Sequence, residues 1–211
     1  EAKTPFEITA AKKNKTAYIG IKGYIYKWNQ ASSMDIEKVV KDFVKDGAVN
    51  AEIYINSGGG DCFEANEIEN IIAENFKPEN VKVRIGAICA SAATIFPAKY
   101  HATAKKNSQI MIHKPMGNPS GNEDDIEAGL QLIKNMTNQY RADYAAKMGI
   151  KESEVEKKWK KDYWMTAAKA KEEGLIDAVE NEDEKIDATT RMQLVACGAP
   201  TVPTIENNQN N

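Results

Sequence analysis

The chain is poor in the residues that build metal centres and disulfide frameworks, with two histidines and three cysteines among 211 residues. Cys62, Cys89 and Cys197 are odd in number, far apart and without a C-x-x-C pair, which argues against a disulfide-stapled secreted scaffold. His101 and His113 are too few for a zinc site of ordinary ligand type, so neither a metal nor another cofactor is expected. No stretch approaches the roughly 20 consecutive apolar residues that span a bilayer, and no secretory signal stands at the start, so a cytoplasmic protein is the expectation. An excess of charge of one sign is also missing. With 28 basic and 31 acidic side chains the net charge is −3, which supplies no electrostatic reason to expect nucleic acid or an anionic membrane as partner.

What is present reads as an α/β domain. Apolar strand patterns at 17–25, 51–55, 81–88 and 109–112 are separated by helical ones. One helix follows Ser33, with Ile36, Val39, Val40, Phe43 and Val44 at helical spacing before Gly47; another follows Asp61, with Ala65, Ile68, Ile71 and Ile72. Short connections between strand and helix favour parallel strands covered by helices, and sites collect at the carboxyl ends of such strands. A long helix begins at Asn122 and ends near Gly149, carrying Ile126, Leu130, Ile133, Thr137, Tyr140 and Tyr144 on one face for the core or a subunit interface. A charged helix covers 152–161, and Leu175–Val179 reads as a final strand. The expected organisation is an N-terminal segment at 1–15, one domain at 16–180, and a polar tail at 181–211 that is mobile or an assembly arm.

Ser91 sits among small residues, Ala90-Ser91-Ala92-Ala93, where a buried strand turns into a helix. Such a corner exposes a hydroxyl beside free backbone N–H groups, as a serine nucleophile requires. A base must take its proton, and His113 at a strand tip before Lys114-Pro115 is placed for it, whereas His101 falls in a polar turn at the surface. Cys89, two positions before Ser91, reads as a packing thiol rather than a rival nucleophile. The base needs a carboxylate to orient it, and residue pattern alone leaves Asp162, Asp125, Asp143 and Asp177 in competition. An oxyanion needs preorganised donors. The Ala92 N–H at a helix start is one, and the glycines Gly58-Gly59-Gly60 after strand 51–55 offer a second.

These residues resemble the Clp-type serine peptidases, the ClpP family. Ile55-Asn56-Ser57-Gly58-Gly59-Gly60 is similar to that family's Ile-Asn-Ser-Pro-Gly-Gly loop, Ala90-Ser91-Ala92 to its nucleophile corner, and 107–115 to its histidine strand. Lys161 to Ala167 and Glu173 to Asp177 are similar to its aspartate segment and closing strand, so the likeness spans about 16–180. It implies a ClpP/crotonase-like spiral of βαβ units, with the long helix as a handle for a heptameric ring or stacked double ring. It implies a Ser91–His113–Asp162 triad, oxyanion donors at Gly59 and Ala92, and a peptide or protein substrate bound by strand addition near Gly58, Gly60, Asp61, Lys114 and Pro115. An AAA+ unfoldase, or phage capsid and portal proteins, would be further partners. Gly58 departs from the family proline, and Pro97, six positions after Ser91, requires a short or kinked helix.

The Trp164-Met165-Thr166-Ala167 run, the start of the long helix at 121–124 and the extended tail look like the phage head-maturation branch rather than the housekeeping one. Rival readings are a crotonase-like acyl-CoA enzyme, a serine–lysine peptidase using Lys114 or another lysine as base, and an inactive ring-forming scaffold.

Overall fold

The structure, a computed structural model, describes residues 11–13, 15–27, 32–200 and 202. The N-terminal segment expected at 1–15 and the last part of the tail therefore lie mostly outside the described residues. Strand β1 (Ala11–Lys13) runs antiparallel to β2 (Thr16–Ile25), at the edge of the sheet. Helix α1 (Ser33–Lys45) then crosses to β3 (Asn50–Gly60), which pairs with β2 in parallel. Its cap is Ser32, one residue before the serine expected from sequence; the Ser32 hydroxyl accepts from Asp35 N–H while the Asp35 carboxylate accepts from Ser32 N–H. Helix α2 (Cys62–Asn75) is capped by Asp61, and leads to β4 (Val81–Ala90), parallel to β3.

The sheet forks along β4. Its first half, Lys82–Ile85, pairs with β5 (His101–Ala104); its second half, Ile88–Ala90, pairs with β6 (Gln109–Ile112). The switch of partner falls at Gly86-Ala87, and an added Cβ at Gly86 would run into the Tyr54 ring of β3. Ser108 is fully buried at the fork and donates to the Gly86 carbonyl. Between β4 and β5 the chain makes a 3-10 turn at Ser91–Thr94 and the five-residue helix α3 (Ile95–Lys99), which contains Pro97. The short post-nucleophile helix expected from Pro97 is thus present.

Helix α4 (Glu123–Met148) matches the long sequence pattern, with Asn122 and Asp125 forming a reciprocal cap and Gly149 ending it at φ 66°. Its second half is anchored by Met136, Tyr140 and Tyr144, while Ile126 and Leu130 near its start remain almost half exposed. Helix α5 (Glu152–Lys158) is three residues shorter than the pattern at 152–161, strand β7 (Tyr163–Thr166, antiparallel to β6) had no expected counterpart, and helix α6 (Ala167–Glu172) and β8 (Ala178–Val179, parallel to β5) complete the fold up to 179.

Two expectations change. The closing strand is only Ala178–Val179: Gly174 adopts φ 79°, and the N–H groups of Leu175 and Ile176 turn back to Ala170 O, which spends those residues closing α6. The polar tail is not structureless where it is described. Residues 188–196 form helix α7 (Ala188–Ala196), capped by Asp187, with Leu194 fully buried against the sheet. Sequence periodicity missed α7 because one apolar side chain, reinforced by polar bonds, does the anchoring.

Candidate active site

The carboxyl ends of β3, β4 and β6 meet at one place, with the segment preceding β7 beside them. Ser91, directly after β4, adopts φ 54°, a left-handed conformation that a non-glycine residue rarely takes, so the corner carries backbone strain. A relay of hydroxyls restrains it: the Thr94 hydroxyl donates to Ser91 O at 2.6 Å and in turn accepts from Tyr144 of α4, also at 2.6 Å. Thr94 and Tyr144 are fully buried, and burial pushes the Tyr144 phenol upward, keeping it protonated as a donor. Sequence reading placed Tyr144 on the packing face and gave Thr94 no part; only the tertiary contact links both to the corner.

Ser91 Oγ lies 2.7 Å from His113 Nε2, and His113 Nδ1 lies 3.1 Å from Asp162 Oδ1. The imidazole is mostly enclosed, 13% exposed, whereas the Asp162 side chain is 53% exposed. Each competing carboxylate is employed elsewhere. Asp125 caps α4, Asp143 pairs with Lys99 at 2.5 Å, and Asp177 accepts from Lys147 and the Ala102 N–H. His101 opens β5 rather than lying in a turn, and it is exposed as expected. Cys89 is wholly buried with its thiol on Ala93 O at 3.5 Å; burial raises its pKa, so it stays a neutral packing group. Lys114 is tied to Glu156, away from the serine, which removes it as a close base.

The glycine segment is a continuation of β3 and not a free loop: Gly59 pairs with Tyr24 and Gly60 with Ile25, past a register shift between Lys22 and Tyr24. Gly59 at φ 89° packs directly on the serine corner. A Cβ there would sit 2.5 Å from Ala90 O and 2.8 Å from Ala92 N, so no other residue fits. Its N–H donates to the buried Ser57 hydroxyl at 3.1 Å, and Ser57 donates onward to Gly23 O. In this arrangement the Gly59 donor expected to face an oxyanion is engaged inward, a contact that nothing in the sequence motif discloses.

Of the other residues expected to bind substrate, Gly60, Asp61 and Pro115 line a cleft of about 260 Å³ whose floor includes Leu132, Ile133 and Met136 of α4. Asp61 is also the cap of α2, accepting from Phe63 N–H and Glu64 N–H. Gly58 faces away from that cleft's lining, against Cys197 and Tyr24. Among the described residues no group of three or more His, Cys, Asp or Glu side chains gathers as a metal site, and no helix is long and apolar enough to cross a membrane.

Comparison with known proteins adds an independent line. A family model described as Clp protease matches residues 26–183. The ATP-dependent Clp protease proteolytic subunit of Bacteroides fragilis is 32% identical over 152 residues, covering 71% of this chain and 72% of that protein. The ATP-dependent Clp protease proteolytic subunit 3 of Rhizobium johnstonii is 28% identical, covering 68% of this chain and 76% of that protein. Among solved structures, a ClpP1 variant from Listeria monocytogenes shares the α/β fold with a TM-score of 0.68 at 24% identity, covering 78% of this chain and 91% of the other.

Proposed function

The chain belongs to the Clp protease family of serine peptidases, and on that premise we propose that it cleaves peptide bonds in polypeptide substrates through Ser91, His113 and Asp162. The observation that carries this reading is the unbroken set of contacts from Ser91 Oγ through both His113 nitrogens to Asp162. With its Nδ1–H donated to Asp162, His113 presents an unprotonated Nε2 that takes the Ser91 proton as Oγ attacks the scissile carbonyl carbon. The resulting imidazolium, stabilised by Asp162, protonates the departing amine and leaves an acyl-serine. A water molecule, deprotonated by the same Nε2, then attacks the ester, and the proton returns to Ser91 Oγ as the carboxylic acid leaves. The Ala92 N–H, second in the 3-10 turn, is the first oxyanion donor. Gly59 N–H serves as the second by exchanging its Ser57 acceptor for the oxyanion.

Substrate lies extended in the cleft between Gly60-Asp61 and Pro115-Met116, one apolar side chain directed at Leu132, Ile133 and Met136. The crotonase-like alternative loses support here, since an acyl-CoA oxyanion site has no use for a hydroxyl–imidazole–carboxylate relay. The half-exposed Ile126 and Leu130 on α4 support ring assembly through that helix, with polar solvent replaced by a second subunit. Feeding by a separate ATPase is supported by the ATP-dependent description that the relatives carry. A role in phage head maturation is a second setting, favoured by the residue pattern at 121–124 and 164–167.

The test is labelling by a fluorophosphonate probe, with the native mass recorded alongside. Wild type is expected to be labelled at Ser91 and Ser91→Ala to be silent; equal labelling of both proteins, or none of the assembled wild type, removes the assignment.

A further inference from the structure

The family match ends at residue 183, yet the chain beyond it folds back onto the sheet. Cys89 belongs to the main core, while its neighbours Ile88 and Ala90 belong to a smaller cluster with Met111 and Leu194, so that cluster occupies the other face of β4. Trp164 and Cys197 pack around it. The cluster that Leu194 joins thus includes a neighbour of each catalytic candidate. Ala90 precedes Ser91, Met111 stands two residues before His113, and Trp164 two after Asp162. The Cys197 thiol approaches the carbonyl of Gly58, beside Gly59, at 3.7 Å.

Polar bonds hold the extension in register. The Asn56 side chain donates to the Thr190 hydroxyl at 2.9 Å and accepts from Ile88 N–H at 3.2 Å, joining β3, β4 and α7. Farther back, the Asn107 amide exchanges two hydrogen bonds with the backbone of Glu184, at 2.7 and 2.8 Å. A departure in the glycine motif also finds its cause. Gly58 has no left-handed φ to require glycine, but a Cβ there would lie 2.7 Å from Cys197 Sγ. The space that a side chain would occupy is filled by the extension.

We propose that residues 184–199 are a back-plate for the active site, in which Leu194 is a positioning residue that locks the Ser91, His113, Asp162 and glycine-strand segments at their working separations. This rests on the serine peptidase reading above. Leu194 touches no reacting atom; it acts by filling the space behind the segments that carry them, where close packing leaves them one arrangement.

Full-length Leu194→Ala and Leu194→Met are compared with wild type by saturation kinetics of fluorophosphonate labelling, which separates kinact from KI, at a temperature where thermal melting and native mass show all three folded and equally assembled. Leu194→Ala is expected to lower kinact at least tenfold with KI within twofold, and Leu194→Met, which refills the volume, to recover to within threefold of wild type. In parallel, Gly58→Ala is expected to slow labelling at least fivefold and Gly58→Ala/Cys197→Ala to regain most of it. A kinact for Leu194→Ala within twofold of wild type overturns the proposal. So does a loss seen only together with unfolding or dissociation, which makes the extension a stability element alone, and so does a Gly58→Ala defect that Cys197→Ala leaves untouched. Wild type that fails to label, or Ser91→Ala that labels, defeats the serine reading and this proposal together; a normal wild type with an indifferent Leu194→Ala defeats only the latter.

Discussion

Two histidine–aspartate pairs stand in this molecule, built from the same side chains and set in different surroundings. His113 Nδ1 is 3.1 Å from Asp162 with its ring 13% exposed, and its other nitrogen meets Ser91. His101 Nδ1 is 3.6 Å from Asp177 with its ring 56% exposed, and Asp177 is already shared with the Lys147 ammonium at 2.8 Å and the Ala102 N–H at 2.7 Å. Partial burial pulls the Asp177 carboxyl upward, but Lys147, the Ala102 N–H and His101 together outweigh it and hold the pKa below the ordinary aspartate value. Asp177 therefore pins α4 to β5 as a neutralised strut, whereas Asp162 bonds His113, lies near the Cys197 thiol and keeps a face open to water. What separates the pair proposed for catalysis from the structural one is the third group on each side: a hydroxyl at a strained corner in one case, a lysine in the other.

The sharpest way to break this contrast is to remove each imidazole. His113→Ala is expected to lower Ser91 acylation by about 10³-fold or more, as loss of a triad base does. His101→Ala should stay within twofold of wild type, with stability changed by no more than about 0.5 kcal/mol. A comparable loss in both variants, measured as labelling rate at Ser91, would erase the distinction.

A smaller effect separates the carboxylates. Asp162→Asn leaves the shape of the site but reverses the preferred tautomer, so acylation should fall by at least ~10²-fold with little change in melting temperature. Normal acylation by Asp162→Asn would return Asp162 to the status of a surface residue.

Asp177→Asn should do the opposite, keeping the labelling rate while losing stability of about 1 kcal/mol at neutral pH, or roughly 2–4 °C in Tm. The pH dependence follows from the lowered folded-state pKa. The Asp177 carboxylate stabilises the fold fully above its unfolded value of about 3.9, and that contribution disappears as pH falls through the lower folded value. The melting gap between wild type and Asp177→Asn should therefore be constant from pH 7 to about 5 and close below about 4. A gap that widens in acid would contradict the strut.

Much of this arrangement was legible in residue pattern. Asn122 and Gly149 mark both ends of α4, and the small residues around Ser91 announce a corner that cannot hold bulk, because Gly59 packs against it. His113 at a strand end is likewise a local property. The carboxylate was not legible from pattern alone, since choosing among Asp125, Asp143, Asp162 and Asp177 depends on which cations and N–H groups surround each in space. Resemblance to the ClpP family singled out Asp162, and among these four it is the carboxylate that the structure sets beside His113. The inward engagement of Gly59 N–H by Ser57 and the Tyr144–Thr94 support of Ser91 also escaped, because both join residues whose local sequence signals only burial.

By itself the sequence determined most local elements: which segments of the first 150 residues are helix or strand, both ends of α4, and which hydroxyl and imidazole stand at strand tips, set by side-chain period and by glycine or proline at single positions. Only the tertiary structure shows which carboxylate lies beside His113 and that the polar chain after 183 packs back on the sheet behind Ala90. Leu194 carries no periodic signal, and its burial beside Ala90 and Met111 exists only after the sheet has formed.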